Sequence, residues 1–189
     1  MKSLSLVDPF ECKKFPFRKE PMTFPIYQSS VPVYARRLEA LSKILDKAAA
    51  YAATRKIDPA VLIQARLYPD MLPLSRQVQI ACSHAIRGSA RLSGAEPMSL
   101  EDKAGSFDDL KALIAKTLAS VKGVDAKKME GAEDRDITFP AGDQKRTLKG
   151  ADYLVHFSMP HFYFHVTTAY DILRSNGLEI GKDDFMGEA

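Results

Sequence analysis

Four long stretches of this chain repeat apolar residues at intervals of three and four, and that period constrains its fold more than any other feature. Tyr34, Leu38, Leu41, Leu45, Ala48 and Ala52 make the first stripe, predicting a helix near 30–53 with Ser29 or Ser30 as its cap and Pro32 in its first turn. Asp58-Pro59 opens a short helical segment ending near Ala65 or Arg66. The second long helix, near 71–93, follows a cap at Asp70, carries Leu74, Val78, Ala81, Ala85, Gly88 and Leu92 on one face, and stops at Gly94. Its small residues Ala81, Ala85 and Gly88 allow a neighbouring helix to approach closely. Ser106 and Asp109 form a capping-box pattern ahead of a third helix, near 106–122, with Phe107, Leu110, Ile114, Thr117 and Val121 on its stripe. A fourth spans about 151–175 and stops at Asn176-Gly177. Only near 134–149 does the period change: Ile137 and Phe139 alternate with polar neighbours ahead of Pro140, Gly142 and Asp143, predicting a small hairpin or ordered loop. The sum is an all-α chain, a four-helix bundle with one small insertion.

Length and composition agree with one such domain. The 189 residues include 46% hydrophobic and 27% charged side chains, enough to fill a core and coat it. Two of the three net positive charges fall in residues 1–21, where Pro9, Phe15, Pro16 and Phe17 suggest a loosely attached extension; Met22 is an alternative start, and 22–189 is the predicted domain. The nearly neutral body has no electrostatic footprint for nucleic acid. No run approaches a membrane span. Cys12 and Cys82 are too far apart to form a zinc or redox pair, which favours a reduced, cytoplasmic setting.

Candidate chemistry gathers in the fourth helix, which holds three of the four histidines: His156, His161 and His165. His161 and His165 are four apart, and on a helix that spacing sets two imidazoles one turn apart on one face, as ligands of a single ion would be. At 100° per residue Leu154, Phe157, His161, Phe164, His165, Thr168 and Ile172 face the bundle interior, while His156 points away. A third ligand must come from another helix, and His84 is the remaining histidine, with Gln77 two turns earlier on the same edge. Three histidines with one open position would form a catalytic rather than a structural metal geometry. Zinc or nickel suits such donors, and Phe157, Phe164 and Tyr153 would shape an apolar pocket for a small-molecule ligand. An H-x-x-x-H pair is equally compatible with hydrogen-bonded core histidines. Val155, Phe162, Val166 and Leu173 form a further apolar flank, more than one bundle face needs, and together with the Ala/Gly seam they predict a homodimer. No phosphate loop, nucleophile elbow or calcium loop occurs, and GAEDRD at 131–136 reads as a solvated loop.

The runs ARLYPDMLPLSRQVQIACSHAIRGSARLSG at 65–94 and PHFYFHVTTAYDILRSNGLEIGKDDFMG at 160–187, with IYQSSVPVYARRLEALSKILDKA at 26–48, resemble the domain-of-unknown-function family numbered nineteen ninety-three. That family resembles the DinB/YfiT-like superfamily of up-and-down four-helix bundles, many of them dimers, whose active members use a three-histidine metal site for thiol-dependent transfer or isomerisation. The resemblance implies that His161 and His165 match the superfamily's last-helix pair. In that pattern the second-helix histidine comes nearer to Gln77 or Ile80 than His84 does. Two functions follow: a homodimeric ligand-binding or structural module without catalysis, and a metal-dependent enzyme of the thiol-transferase or isomerase kind.

Overall fold

The computed structural model describes residues 25–100 and 105–187, so the extension at 1–21 and the alternative start at Met22 lie outside the described residues. Helix α1 spans Ile26–Arg55, α2 Pro59–Ile63, α3 Leu74–Ser93 and α4 Phe107–Lys122. A 3-10 turn at Ala126–Met129 leads to an antiparallel hairpin of β1, Asp136–Ala141, and β2, Gln144–Lys149. The fourth long helix is built in three pieces: α5 at Gly150–Tyr153, a π-helical turn at Leu154–Ser158, and α6 at Met159–Ser175. A short α7, Lys182–Met186, docks on α1 through Arg37, whose Nη1 donates to the Phe185 carbonyl and whose guanidinium lies over the Phe185 ring. The four long helices close a ring in the order α1, α4, α3, α6, which is the expected four-helix bundle.

Several boundaries follow directly from side-chain chemistry. Asp58 Oδ1 accepts the Ala60 amide at 2.9 Å and Ser106 Oγ accepts the Asp109 amide at 3.0 Å, each satisfying a donor that a helix start leaves unpaired. Gly94 takes φ 75° and ends α3, a conformation that suits glycine. Two expected caps do not form. α1 begins at Ile26, one turn before Ser30, whose hydroxyl instead donates back to the Ile26 carbonyl at 2.6 Å, and Pro32 lies inside the helix. α3 begins at Leu74 behind Pro73, so Asp70 sits in the preceding exposed turn and caps nothing.

The largest correction concerns which face of the fourth helix is inside. Phe162, Val166 and Leu173, expected on a second flank, are buried, whereas Phe164, expected inside, is 57% exposed and His161 is exposed as well. The π turn is the cause. It widens one turn by a residue, and each residue is worth about 100° of helical rotation, so everything after Ser158 is turned relative to an unbroken helix. Pro160 favours the change because it lacks the N–H that an α-helix would direct to the His156 carbonyl.

Most of the surface behind the expected dimer is thereby used inside one chain, Val155 alone of the flank remaining exposed. Phe162 packs edge-to-face on Tyr34 of α1, with ring centroids 4.9 Å apart. The small-residue seam of α3 receives α1 and the π turn: a Cβ on Gly88 would collide with the Tyr34 and Ser158 hydroxyls, which bond each other at 2.8 Å. Cys82 lies fully inside, where burial pushes its thiol up to about 12, so it fills space and is not a nucleophile. Arg135 of the 131–136 loop is structural: its guanidinium donates to the carbonyls of Leu92 and Lys128.

Candidate functional site

Crossing α3 with the π turn and α6 brings three histidines together at the rim of the bundle. His84 stacks on His161 with ring centroids 4.9 Å apart and planes 22° from parallel, and on His165 at 5.9 Å and 14°. Sequence distance hid this contact: His84 lies 77 positions before His161, and only the packing of α3 on α6 joins them. His156 stays outside the cluster, exposed and 4.0 Å from Asp152.

Gln77 organises one member of the cluster. Its Nε2 donates to the Leu72 carbonyl at 3.0 Å, which fixes Oε1 as the oxygen facing His165 Nδ1 at 2.7 Å. An amide oxygen only accepts, so Nδ1 of His165 carries the proton and Nε2 keeps its lone pair. His161 is held the same way, since its Nδ1 lies 2.7 Å from the Phe157 carbonyl and must donate to it. In the resemblance noted above, a metal-binding histidine is expected near the place of Gln77. Here the Gln77 amide instead orients a histidine.

The local charge also favours neutral rings. Burial, with the nearby charges of His161, His165, Arg87 and Arg91, lowers His84 to about 3. Burial and then His161 lower His165 to about 4. Neutral imidazoles with free lone pairs are the protonation state a metal ligand requires.

Spacing and orientation disagree about a shared ion. Two imidazoles bound to one ion at ~2.1 Å have ring centroids about 5 Å apart, close to the separations of His84 from its two partners. Stacked rings, however, turn faces and not lone pairs towards each other. Among the described residues no group of three or more His, Cys, Asp or Glu side chains has donors converging on one point. The three rings supply donors of the right chemistry but not a converged set, and His84 would have to turn about its side-chain torsions before all three could meet one ion.

Around the histidines runs a stack of aromatic rings. Phe157 lies 4.4 Å from His161 and 4.4 Å from Phe139, and Tyr153 lies 5.8 Å from Phe157 and 4.9 Å from Phe139. Phe164 meets His165 edge-on at 5.2 Å, so it borders the site from its exposed side and does not line an interior pocket. Sequence reasoning missed Phe139 and Arg91. The hairpin turns Ile137 and Phe139 inward, and Arg91 donates to the Tyr153 hydroxyl at 3.1 Å while lying over the Phe139 ring. Alternation of Ile137 and Phe139 signalled a buried strand face, although nothing in it indicated which aromatic that face would cover.

By its likeness to a solved relative, this four-helix bundle is a DinB-like helical protein. The chain belongs to the DUF1993 family, a domain of unknown function, whose model matches residues 26–186. The crystal structure of a DinB family member protein from Shewanella denitrificans is similar, at a TM-score of 0.81 and 36% sequence identity, covering 87% of this chain and 93% of that one. Among curated proteins none matches the chain. Among the described residues no helix is long and apolar enough to cross a membrane.

Proposed function

We propose that this protein is a ligand-binding helical bundle whose histidine cluster takes up one divalent ion, zinc or nickel, on His165, His161 and His84. The observation that carries this reading is the Leu72–Gln77–His165 chain of hydrogen bonds, which holds one imidazole with its Nε2 bare. Metal-binding histidines ordinarily have such an oxygen behind the distal nitrogen. A bound ion would supply Lewis-acid polarisation of a thiol or a water. The chain's own residues orient the rings and border them with Phe157 and Phe164, whereas Tyr153, expected beside them, is buried behind Phe157 and Phe139 and lines no approach. Similarity to a DinB family member supports the bundle fold on which this reading rests. Thiol-transferase or isomerase chemistry, implied by the resemblance of the sequence, is its enzymatic form.

A second reading, a small-molecule-binding module without metal, is favoured by the parallel stacking of His84 on its two partners. Elemental analysis of protein purified without a histidine tag separates the two. The metal reading expects one ion per chain, lost in His165→Ala with the helical circular dichroism unchanged. Sub-stoichiometric metal that dialysis removes, or a metal content unchanged in His165→Ala, leaves the metal-free module. In either form we propose a homodimer, although of the apolar flank that suggested it only Val155 is exposed, Phe162, Val166 and Leu173 being buried. Light scattering that finds a monomer at micromolar concentration removes the dimer.

A further inference from the structure

Helix α3 carries Arg76, Arg87 and Arg91 and not one aspartate or glutamate along its 20 residues. In a chain whose charges are otherwise nearly balanced, that is a local concentration of positive charge on one element. Arg91 is occupied by the Tyr153 hydroxyl and two aromatic rings. Arg76 donates to Gln79 Oε1 at 2.8 Å. Arg87 differs from both: it is exposed, and among the described residues it has no carboxylate or hydrogen-bond partner.

Arg87 borders a cleft of about 360 Å³ between α3, α4 and the segment after α3. Ser83 and His84 share its α3 wall, and Leu100 and Leu113 form the opposite, apolar wall. Ser83 lies four positions before Arg87, so its hydroxyl and the guanidinium are neighbours one turn apart on the same helix face. A guanidinium and a hydroxyl at that spacing offer several N–H and O–H donors to one planar or tetrahedral oxyanion. His84 belongs both to this cleft and to the histidine cluster, so a molecule seated here touches the ring that the cluster shares.

We propose that the cleft is the anchor for an anionic small molecule, its carboxylate or phosphate held by Arg87 and Ser83, its apolar part against Leu100 and Leu113, and its reacting end at His84. This assignment gives the histidine site a substrate class and rests on the reading of that cluster as a ligand centre. Arg87 and Ser83 are binding residues in it, and the chemistry of carboxylate and phosphate is shared at this step.

Inorganic phosphate and acetate, each titrated into the chelator-treated full-length chain at constant ionic strength against chloride, test it by amide chemical shifts. The expected result is a saturable change at Ser83, His84, Arg87 and Leu113, with affinity reduced about tenfold in Arg87→Gln, the loss of one charge-assisted contact. Arg55→Gln, at the far end of α1, should bind as the unmodified chain does. The tighter of the two anions identifies the class. Linear, unsaturating drift, or equal affinity in Arg87→Gln, overturns the anchor. Because this titration uses metal-free protein, a failed metal reading leaves the Arg87 effect in place, and a failed anchor leaves the metal stoichiometry untouched.

Discussion

Gln77 and His165, 88 positions apart, are joined by a 2.7 Å hydrogen bond whose direction is set from behind by the Leu72 carbonyl. Gln77 is 2% exposed, so the amide has no room to flip without losing one of its two partners. Fixed orientation of a ring is the service that second-layer groups perform at metal sites.

Replacing Gln77 tests that service. Gln77→Leu removes the acceptor and strands the Leu72 carbonyl, so zinc affinity should fall about 10- to 100-fold and stability by about 1 kcal/mol. Gln77→Glu keeps an acceptor for His165 but loses the donor to the Leu72 carbonyl, so affinity should fall less than in Gln77→Leu. A competitive zinc titration reads both, and equal affinity for Leu and Gln at this position removes the orienting role.

Acid stability offers a second measurement. An imidazole ordinarily titrates at 6.5, whereas burial holds His84 at about 3 and His165 at about 4 in the folded chain. Below pH 6.5 the unfolded chain binds protons that the folded chain refuses, so stability falls as pH drops and continues to fall until the folded values are reached. Between pH 6.5 and 5, above most carboxylate titrations, the loss should be of order 1 kcal/mol once screening of these half-buried rings is allowed for. The double variant His84→Asn/His165→Asn should show a flatter profile in urea titrations across that window. An unchanged slope means that these rings protonate freely while folded.

Close packing at Gly88 gives a third. A methyl group there meets the Tyr34 and Ser158 hydroxyls, both on buried side chains, and α3 must move away from α1 and the π turn to admit it. Gly88→Ala should cost about 1–3 kcal/mol despite the usual helix-propensity gain of alanine. Adding Tyr34→Phe, which deletes one of the opposing oxygens, should recover part of the loss. A stabilised Gly88→Ala would show that this contact is loose.

Legibility of the sequence depended on how local the cause was. Asp58, Ser106 and Gly94 announced their helix ends because capping involves residues within one turn. Ile137 and Phe139 announced a strand through their alternation. The face of the fourth helix was misread, because a single wide turn at Leu154–Ser158 rotates every later residue and leaves no mark on the apolar period except Pro160. His161 and His165 were visible as a spaced pair, whereas the tautomer of His165 depends on Gln77 and Leu72, which only the tertiary fold brings near. Arg87 passed unnoticed although it lies three positions from His84, since an isolated surface arginine is ordinary until the cleft beside it is known.

The rotated face makes the sharpest test of the fold. Phe162 is fully buried against Tyr34, while Phe164, two residues on, is 57% exposed. In an unbroken helix their roles would be reversed. Phe162→Glu places a charge in the core and should cost about 4 kcal/mol, lowering the denaturant midpoint steeply or abolishing cooperative unfolding. Phe164→Glu should stay within about 0.5 kcal/mol of the unmodified chain, as surface changes do. Light scattering on both variants distinguishes core from interface. If Phe162→Glu stays folded and only separates two chains, Phe162 belongs to a subunit contact and the π turn does not set the register of α6.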